Sequence, residues 1–229
     1  MKVLLFGVVA LLFALPAVAQ VGHEPALSPY SDLDYNQELS VLFGYSRMRH
    51  DPAGIAPQSA SSVGVRYELN LVGPLALSTD FSTAFASRDE IDPAMPKATR
   101  VVRRQSATVT GADLALALNL TGRKSFHHVV PQIRGGLGFM HSSAADDSSG
   151  FSFGTPFAFT IGGGLKFVPA SGRVQLRLDV TDRIFKLSYP DAYFRLTSDQ
   201  TAVLDVSTPR SFYTHHTALT VGVSYLFAR

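Results

Sequence analysis

Apolar and small or polar residues alternate with a period of two in eight successive segments of this chain. In the second segment, for example, Val63, Val65 and Tyr67 alternate with small or charged residues. Successive side chains of a β-strand point to opposite faces, so each segment predicts a strand with one apolar and one polar face. Eight such runs in succession predict an all-β protein. The segments cover residues 39–46, 63–71, 75–85, 113–120, 132–139, 157–167, 173–181 and 219–227.

The connections between these segments are alternately short and long. The short connections are residues 72–74, 122–127 and 169–172, and the long ones are residues 49–60, 87–105, 142–154 and 184–212. Tight turns on one side and long loops on the other are typical of transmembrane barrels. The pattern therefore predicts an eight-stranded antiparallel up-and-down transmembrane β-barrel with both termini on the periplasmic side.

The composition of the second face indicates which side of the barrel meets lipid. A secreted barrel of the lipocalin type would hide the apolar face and show the other face to water. Here the other face is rich in Gly, Ala and Ser, which suit a narrow interior. Charged residues make up only 17% of the chain, whereas soluble domains have roughly 25%. We expect the apolar face to point outward into lipid.

Charged residues of the second face are nearly balanced in sign. They are Arg66, Glu68, Asp80, Asp113, Arg134, Lys166, Arg173, Arg177 and Asp179. Charges in a tight lumen need partners to offset their desolvation. We therefore predict one connected ionic network in the lumen, formed by all of these residues except Arg173. Its centre is expected to consist of Arg66, Glu68, Asp80, Arg134, Arg177 and Asp179.

The amino terminus has the three parts of a secretory signal peptide. Lys2 precedes an apolar stretch, Val3–Leu15, and Ala17-Val18-Ala19 provides the small residues of a cleavage site. We predict a signal peptide over 1–19, a periplasmic lead-in over 20–36 and a barrel over 37–229. The chain has no cysteine and a net charge of +2, so neither disulfides nor nucleic-acid binding is expected.

The last segment contains a further pattern. Thr220, Gly222, Tyr225 and Phe227 resemble the carboxy-terminal signal of bacterial outer-membrane proteins, although the chain continues for two more residues. That resemblance implies recognition by the barrel assembly machinery. With the signal peptide and the turn rhythm, the chain resembles the small OmpA/OmpX-like outer-membrane β-barrels, as a barrel domain without the peptidoglycan-binding domain that follows some members.

The resemblance implies a location in the outer membrane, in contact with lipid and lipopolysaccharide, but no single activity. We expect a non-enzymatic barrel that displays four long extracellular loops in a structural or surface-interaction role, with an unknown extracellular ligand. The alternatives are a small pore for ions or solutes and a lipid-modifying enzyme. The enzyme would use His141 and Ser143, with Asp146 or Asp147 as a candidate acid.

Two other groups of residues are less informative. The seven histidines include two adjacent pairs, whose side chains would point to opposite faces of a strand. We expect no metal site, no catalytic site and no cofactor. Arg100, Arg103 and Arg104 make the second long connection basic, which fits either contact with lipopolysaccharide or an ordinary solvated loop.

Overall fold

The computed structural model describes residues 28–143 and 149–227. Within those ranges the chain forms twelve strands and one short 3-10 helix, Asp191–Phe194. The strands are β1 (Tyr30–Asp32), β2 (Gln37–Met48), β3 (Ala60–Asn70), β4 (Leu75–Ala84), β5 (Ser87–Ile91), β6 (Val101–Ser106), β7 (Val109–Asn119), β8 (Lys124–Phe126), β9 (Val129–Ser142), β10 (Phe157–Phe167), β11 (Val174–Ser188) and β12 (Ser211–Phe227).

Eight long strands form a closed antiparallel barrel. Strands β2, β3, β4, β7, β9, β10, β11 and β12 each pair with the next, and β12 pairs back onto β2 with Leu219 opposite Tyr45. Closure leaves no free sheet edge, which is the condition for strands to cross a hydrocarbon layer. The predicted eight-stranded antiparallel β-barrel is confirmed.

The connections divide the barrel into two ends. The short connections lie at the turn end, and the long ones lie at the loop end: loop 1 (49–59), loop 2 (85–108), loop 3 (143–156) and loop 4 (189–210). Loop 2 contains the β5–β6 hairpin. The sequence placed loop 4 at 184–212, which is too long, because β11 and β12 continue to Ser188 and Ser211 with Phe185 and Leu187 buried inside the barrel.

The two faces of each long strand are sorted as the alternation predicts. Leu116 and Val221, near mid-strand, are 55% and 57% exposed on the outside, whereas Ala117 is buried inside. Leu42 breaks the alternation and points into the lumen, where Gly222 makes room for it: a Cβ at position 222 would lie 2.5 Å from Leu42 Cδ2. An apolar outer surface of this extent suits lipid, because soluble monomers do not expose such a belt.

Residues before the first barrel strand cross the turn end. β1 pairs with β8, and the Tyr35 hydroxyl donates a hydrogen bond to Gly172 O at 3.2 Å. The Asn70 side chain donates to Tyr35 O at 3.0 Å. The described part of the predicted lead-in therefore links three turns. The predicted signal peptide and residues 20–27 lie outside the described residues.

Residues 28–143 and 149–227 contain no helix of the length and apolar character that a membrane span requires.

Candidate functional site

A chain of ion pairs crosses the middle of the lumen. Arg66 on β3 donates from Nε to Asp80 Oδ2 at 2.5 Å and from Nη1 to Asp179 Oδ1 at 2.9 Å. Arg134 on β9 also donates to Asp80. Arg177 Nε donates to Asp179 Oδ2 at 2.7 Å. Side chains of four strands are thus joined across the barrel interior.

The same chain of ion pairs continues towards the turn end. Lys166 Nζ donates to Glu38 Oε2 at 2.9 Å and also to Glu68. Arg177 Nη1 donates to Glu38 Oε1 at 2.7 Å and lies 3.7 Å from Glu68 Oε2. Gln132 donates a further hydrogen bond to Glu68 at 2.8 Å. Arg177 is therefore the residue that joins the two halves.

We call this connected set the lumen network. Its members are Glu38, Arg66, Glu68, Asp80, Arg134, Lys166, Arg177 and Asp179. Four cations face four anions, and no side chain of the set is more than 7% exposed. Such balance is the condition for burying charge, since an unpaired charge in a poorly hydrated interior is strongly destabilising.

The lumen network differs from the sequence expectation at two positions. Glu38 was not anticipated, although it has the same parity as Ser40 on β2 and so points inward. Asp113 does not join the network; it accepts from Arg183 Nε at 2.7 Å and from Thr160 Oγ1 at 2.6 Å. The prediction that Asp113 belongs to the network was therefore wrong.

Like-charge repulsion explains the separate Asp113 pair. Asp80 and Asp113 are register partners on β4 and β7, so their carboxylates start from opposite positions on the same face. Directly opposed like charges are destabilising, and each acid contacts different arginines instead.

The prediction that Arg173 lines the lumen was wrong. Strand β11 begins one residue later, at Val174, and Arg173 is exposed at the turn end.

A buried apolar core fills the barrel at the loop end. Ile55 of loop 1, Phe153 of loop 3, and Tyr193 and Leu204 of loop 4 all belong to it. The Phe153 ring lies 5.6 Å from the ring of Phe185, which points inward from β11. The loops are thus packed on one another and on the barrel wall. We call this assembly the loop cap.

Polar contacts fasten the loop cap. Asp51 of loop 1 is buried and accepts from Ala56 N at 2.8 Å and from the Tyr189 hydroxyl at 2.9 Å. Burial and the nearby Asp51 carboxylate raise the pKa of Tyr189 well above its usual range. Arg100 of loop 2 donates to Ala202 O of loop 4 at 3.0 Å. Loop 4 is therefore tied to both loop 1 and loop 2.

The arginines of loop 2 are engaged within the protein. Besides the Arg100 contacts, Arg103 donates to Glu90, and Arg104 donates to Ser87 Oγ at 3.0 Å and to the Gln58 side chain. From the sequence, this basic segment was expected either to contact lipopolysaccharide or to be an ordinary solvated loop. Neither interpretation included these contacts with other residues of the protein.

The other residues singled out from the sequence lie apart from the lumen network. Tyr225 and Phe227 stack near the turn end with ring centroids 6.4 Å apart, while Thr220 and Gly222 have the opposite, inward parity on β12. Their role as an assembly signal remains a prediction. In residues 28–143 and 149–227, no three His, Asp or Glu side chains form a group that could hold a metal ion.

The His141–Ser143 pair gains no catalytic geometry from the described residues. His141 Nδ1 lies 3.2 Å from Thr155 Oγ1, and Ser143 donates its backbone N–H to Thr108 O. The candidate acids, Asp146 and Asp147, lie outside the described residues. The enzyme hypothesis therefore rests on the sequence alone.

Comparison with solved structures finds the same fold. The outer membrane protein OprG from Pseudomonas aeruginosa has a TM-score of 0.53 at 10% identity, and the match covers 85% of this chain and 98% of OprG. Neisserial surface protein A (TM-score 0.48, 12% identity, 87% and 98% covered) and the outer membrane enzyme PagL (0.39, 9%, 80% and 97%) are further matches.

No family model and no curated protein matches the sequence. The likeness to OprG, at low identity, concerns the fold and not the activity. It agrees with the closed eight-strand register, the apolar exterior and the alternation of turns and loops. The chain is an eight-stranded β-barrel with the architecture of the small OmpA/OmpX-like outer-membrane proteins.

Proposed function

We propose that this protein is a non-enzymatic outer-membrane barrel with a closed lumen, whose loops form one compact surface outside the cell. The observation that carries the proposal is the loop cap, in which residues from different loops share a buried core continuous with the barrel interior. Loops that only connect strands have no need of such a core. A packed cap suits a surface that must keep one shape.

The lumen network supports a closed barrel. Its side chains are almost entirely buried, and each is held by at least one opposite charge across the interior. A permeating ion would have to displace these contacts. This arrangement favours a structural role over the small-pore alternative.

Exposed apolar side chains on the cap support a role in surface interaction. Val206 and Leu196 of loop 4 are 84% and 67% exposed, and Val101 of loop 2 is also exposed. We propose that these side chains contact other molecules at the cell surface. The long loops then face outward and both termini face the periplasm.

Planar-bilayer recording of the refolded protein tests the closed lumen. We expect no steady current from the wild type. Steady single-channel conductance that changes when Arg66 or Glu68 is replaced by alanine would establish the pore instead. Mass analysis of lipid A, with and without Ser143→Ala, tests the enzyme alternative, and any mass change that depends on Ser143 would overturn the non-enzymatic proposal.

A further inference from the structure

A polar cluster interrupts the apolar outer wall where β11 and β12 leave the belt. His215 Nδ1 lies 2.7 Å from Asp182 Oδ2, and Thr217 Oγ1 donates to Asp182 Oδ1 at 3.0 Å. These residues share the outward parity of Val180 and Leu219. Charged side chains on the outer face of a membrane barrel destabilise it strongly at mid-membrane and only weakly near the interfaces.

The neighbours of the cluster define its depth. Tyr45, opposite Leu219, is an exposed aromatic residue, and beside β11 the exposed Phe159 of β10 lies opposite Ile184. Aromatic side chains gather where the hydrocarbon core meets the headgroups. Asp182 is the next outward-facing residue after Val180 towards the loop end. It therefore lies at headgroup depth, on the loop side of the belt.

Two further cations stand on either side of His215. Arg47 on β2 is opposite Thr217, and Lys186 on β11 is opposite Tyr213, so each is a diagonal neighbour of His215 on the same face. Diagonal neighbours lie roughly 7–8 Å apart, well within the reach of long side chains. Arg47 and Lys186 are exposed, and neither has an ion-pair partner within residues 28–143 and 149–227.

The charges of this cluster suit an anion. Arg47 and Lys186 outnumber the single carboxylate, whose oxygens are already used by His215 and Thr217. His215 contacts Asp182 through Nδ1, so Nε2 is the ring nitrogen left for a ligand. If the long side chains of Arg47 and Lys186 extend towards His215 from its two sides, a guanidinium, an ammonium and an imidazole surround one tetrahedral oxyanion.

We propose that Arg47, Lys186 and His215 bind a phosphate group of an outer-leaflet lipid, namely the phosphorylated lipid A of lipopolysaccharide. Its acyl chains lie against the apolar wall formed by residues such as Phe159 and Leu219. The site lies apart from the loop 2 arginines singled out from the sequence, which also contact groups within the protein.

Native mass spectrometry of the detergent-folded protein, titrated with bis-phosphorylated lipid A, tests the site. The test variant is Arg47→Gln/Lys186→Gln, and the matched control is Lys97→Gln/Arg195→Gln, which removes the same charge from exposed loop positions. We expect lipid A retention to fall about tenfold in the test variant, since charge-assisted hydrogen bonds are lost, and to stay within about twofold in the control. His215→Gln should weaken retention by a smaller factor.

Two other ligands identify what is recognised. Dephosphorylated lipid A should be retained far more weakly than the phosphorylated form. Inorganic phosphate should not compete at concentrations comparable to lipid A, because it lacks the acyl-chain contacts. Equal retention by wild type and test variant, with both shown to be folded by heat-modifiable gel mobility, would overturn the site. Equal retention of dephosphorylated lipid A, or competition by free phosphate, would overturn phosphorylated lipid A as the ligand.

Discussion

Removing the Asp80 charge should destabilise the barrel more than any exposed acid does. Asp80 bridges Arg66 and Arg134, and among the described residues it is the one acid that Arg134 contacts. Asp80→Asn leaves four cations facing three anions in the lumen network and strands Arg134, which is 5% exposed. An uncompensated buried charge typically costs about 3–5 kcal/mol, so we expect a loss near the lower figure because Arg66 retains Asp179.

Urea unfolding in phospholipid vesicles measures this loss. Because the chain has no tryptophan, the folded fraction is followed by heat-modifiable gel mobility. The control, Asp32→Asn, removes an exposed acid whose nearest cation, Lys124, is 3.7 Å away, and should change stability by less than about 1 kcal/mol. Adding Arg134→Met to Asp80→Asn should recover roughly half of the loss, because the stranded cation is gone. Equal stability of Asp80→Asn and the control, or a double variant no more stable than the single one, would contradict the role given to Asp80.

The remaining predictions concern the outer face, a close strand contact and the loop cap. Leu116→Arg should lower the free energy of unfolding by about 2–4 kcal/mol in vesicles, while the inward Ala117→Ser should be tolerated; equal stability of the two would contradict the assignment of faces. Gly136→Ala should reduce folding yield because its Cβ would lie 2.6 Å from the Ala115 Cα, whereas Gly135→Ala meets nothing within 4 Å and should fold normally. Since its pKa is raised in the folded state, Tyr189 stabilises the cap below pH of about 10 and loses that effect at higher pH. Proteinase K cleavage of the loops should therefore accelerate from pH 8 to 11 more in wild type than in Tyr189→Phe, and an equal acceleration would contradict the Tyr189 anchor.

The fold and the direction of most side chains follow from local periodicity. Alternation within a single strand is enough to place Arg66 and Asp80 inside, because it depends on no contact with another strand. Extending the same parity to the ends of the segments would have found Glu38 and Arg183. The misplacement of Arg173 has the opposite cause, since parity has no meaning beyond the end of a strand.

The choice of partners could not be read from the sequence. Asp80 and Asp113 both point inward and lie opposite each other, yet they contact different arginines, because like charges on directly opposed residues repel. The loop cap is less predictable still, since Ile55 and Phe153 come from segments without periodicity. Their contacts depend on loop conformation, which sequence patterns of period two do not describe.

Nitroxide accessibility tests the central claim, that the apolar face of the barrel meets lipid and the loop cap meets water. The chain has no cysteine, so a single cysteine introduced in place of Leu116, Leu178 or Val221 gives a unique labelling position, with Val206 as the aqueous reference. In vesicles, labels at the three belt positions should be relaxed strongly by oxygen and weakly by a water-soluble nickel chelate, with the reverse at position 206. Nickel accessibility at the belt positions equal to that at position 206 would contradict the account.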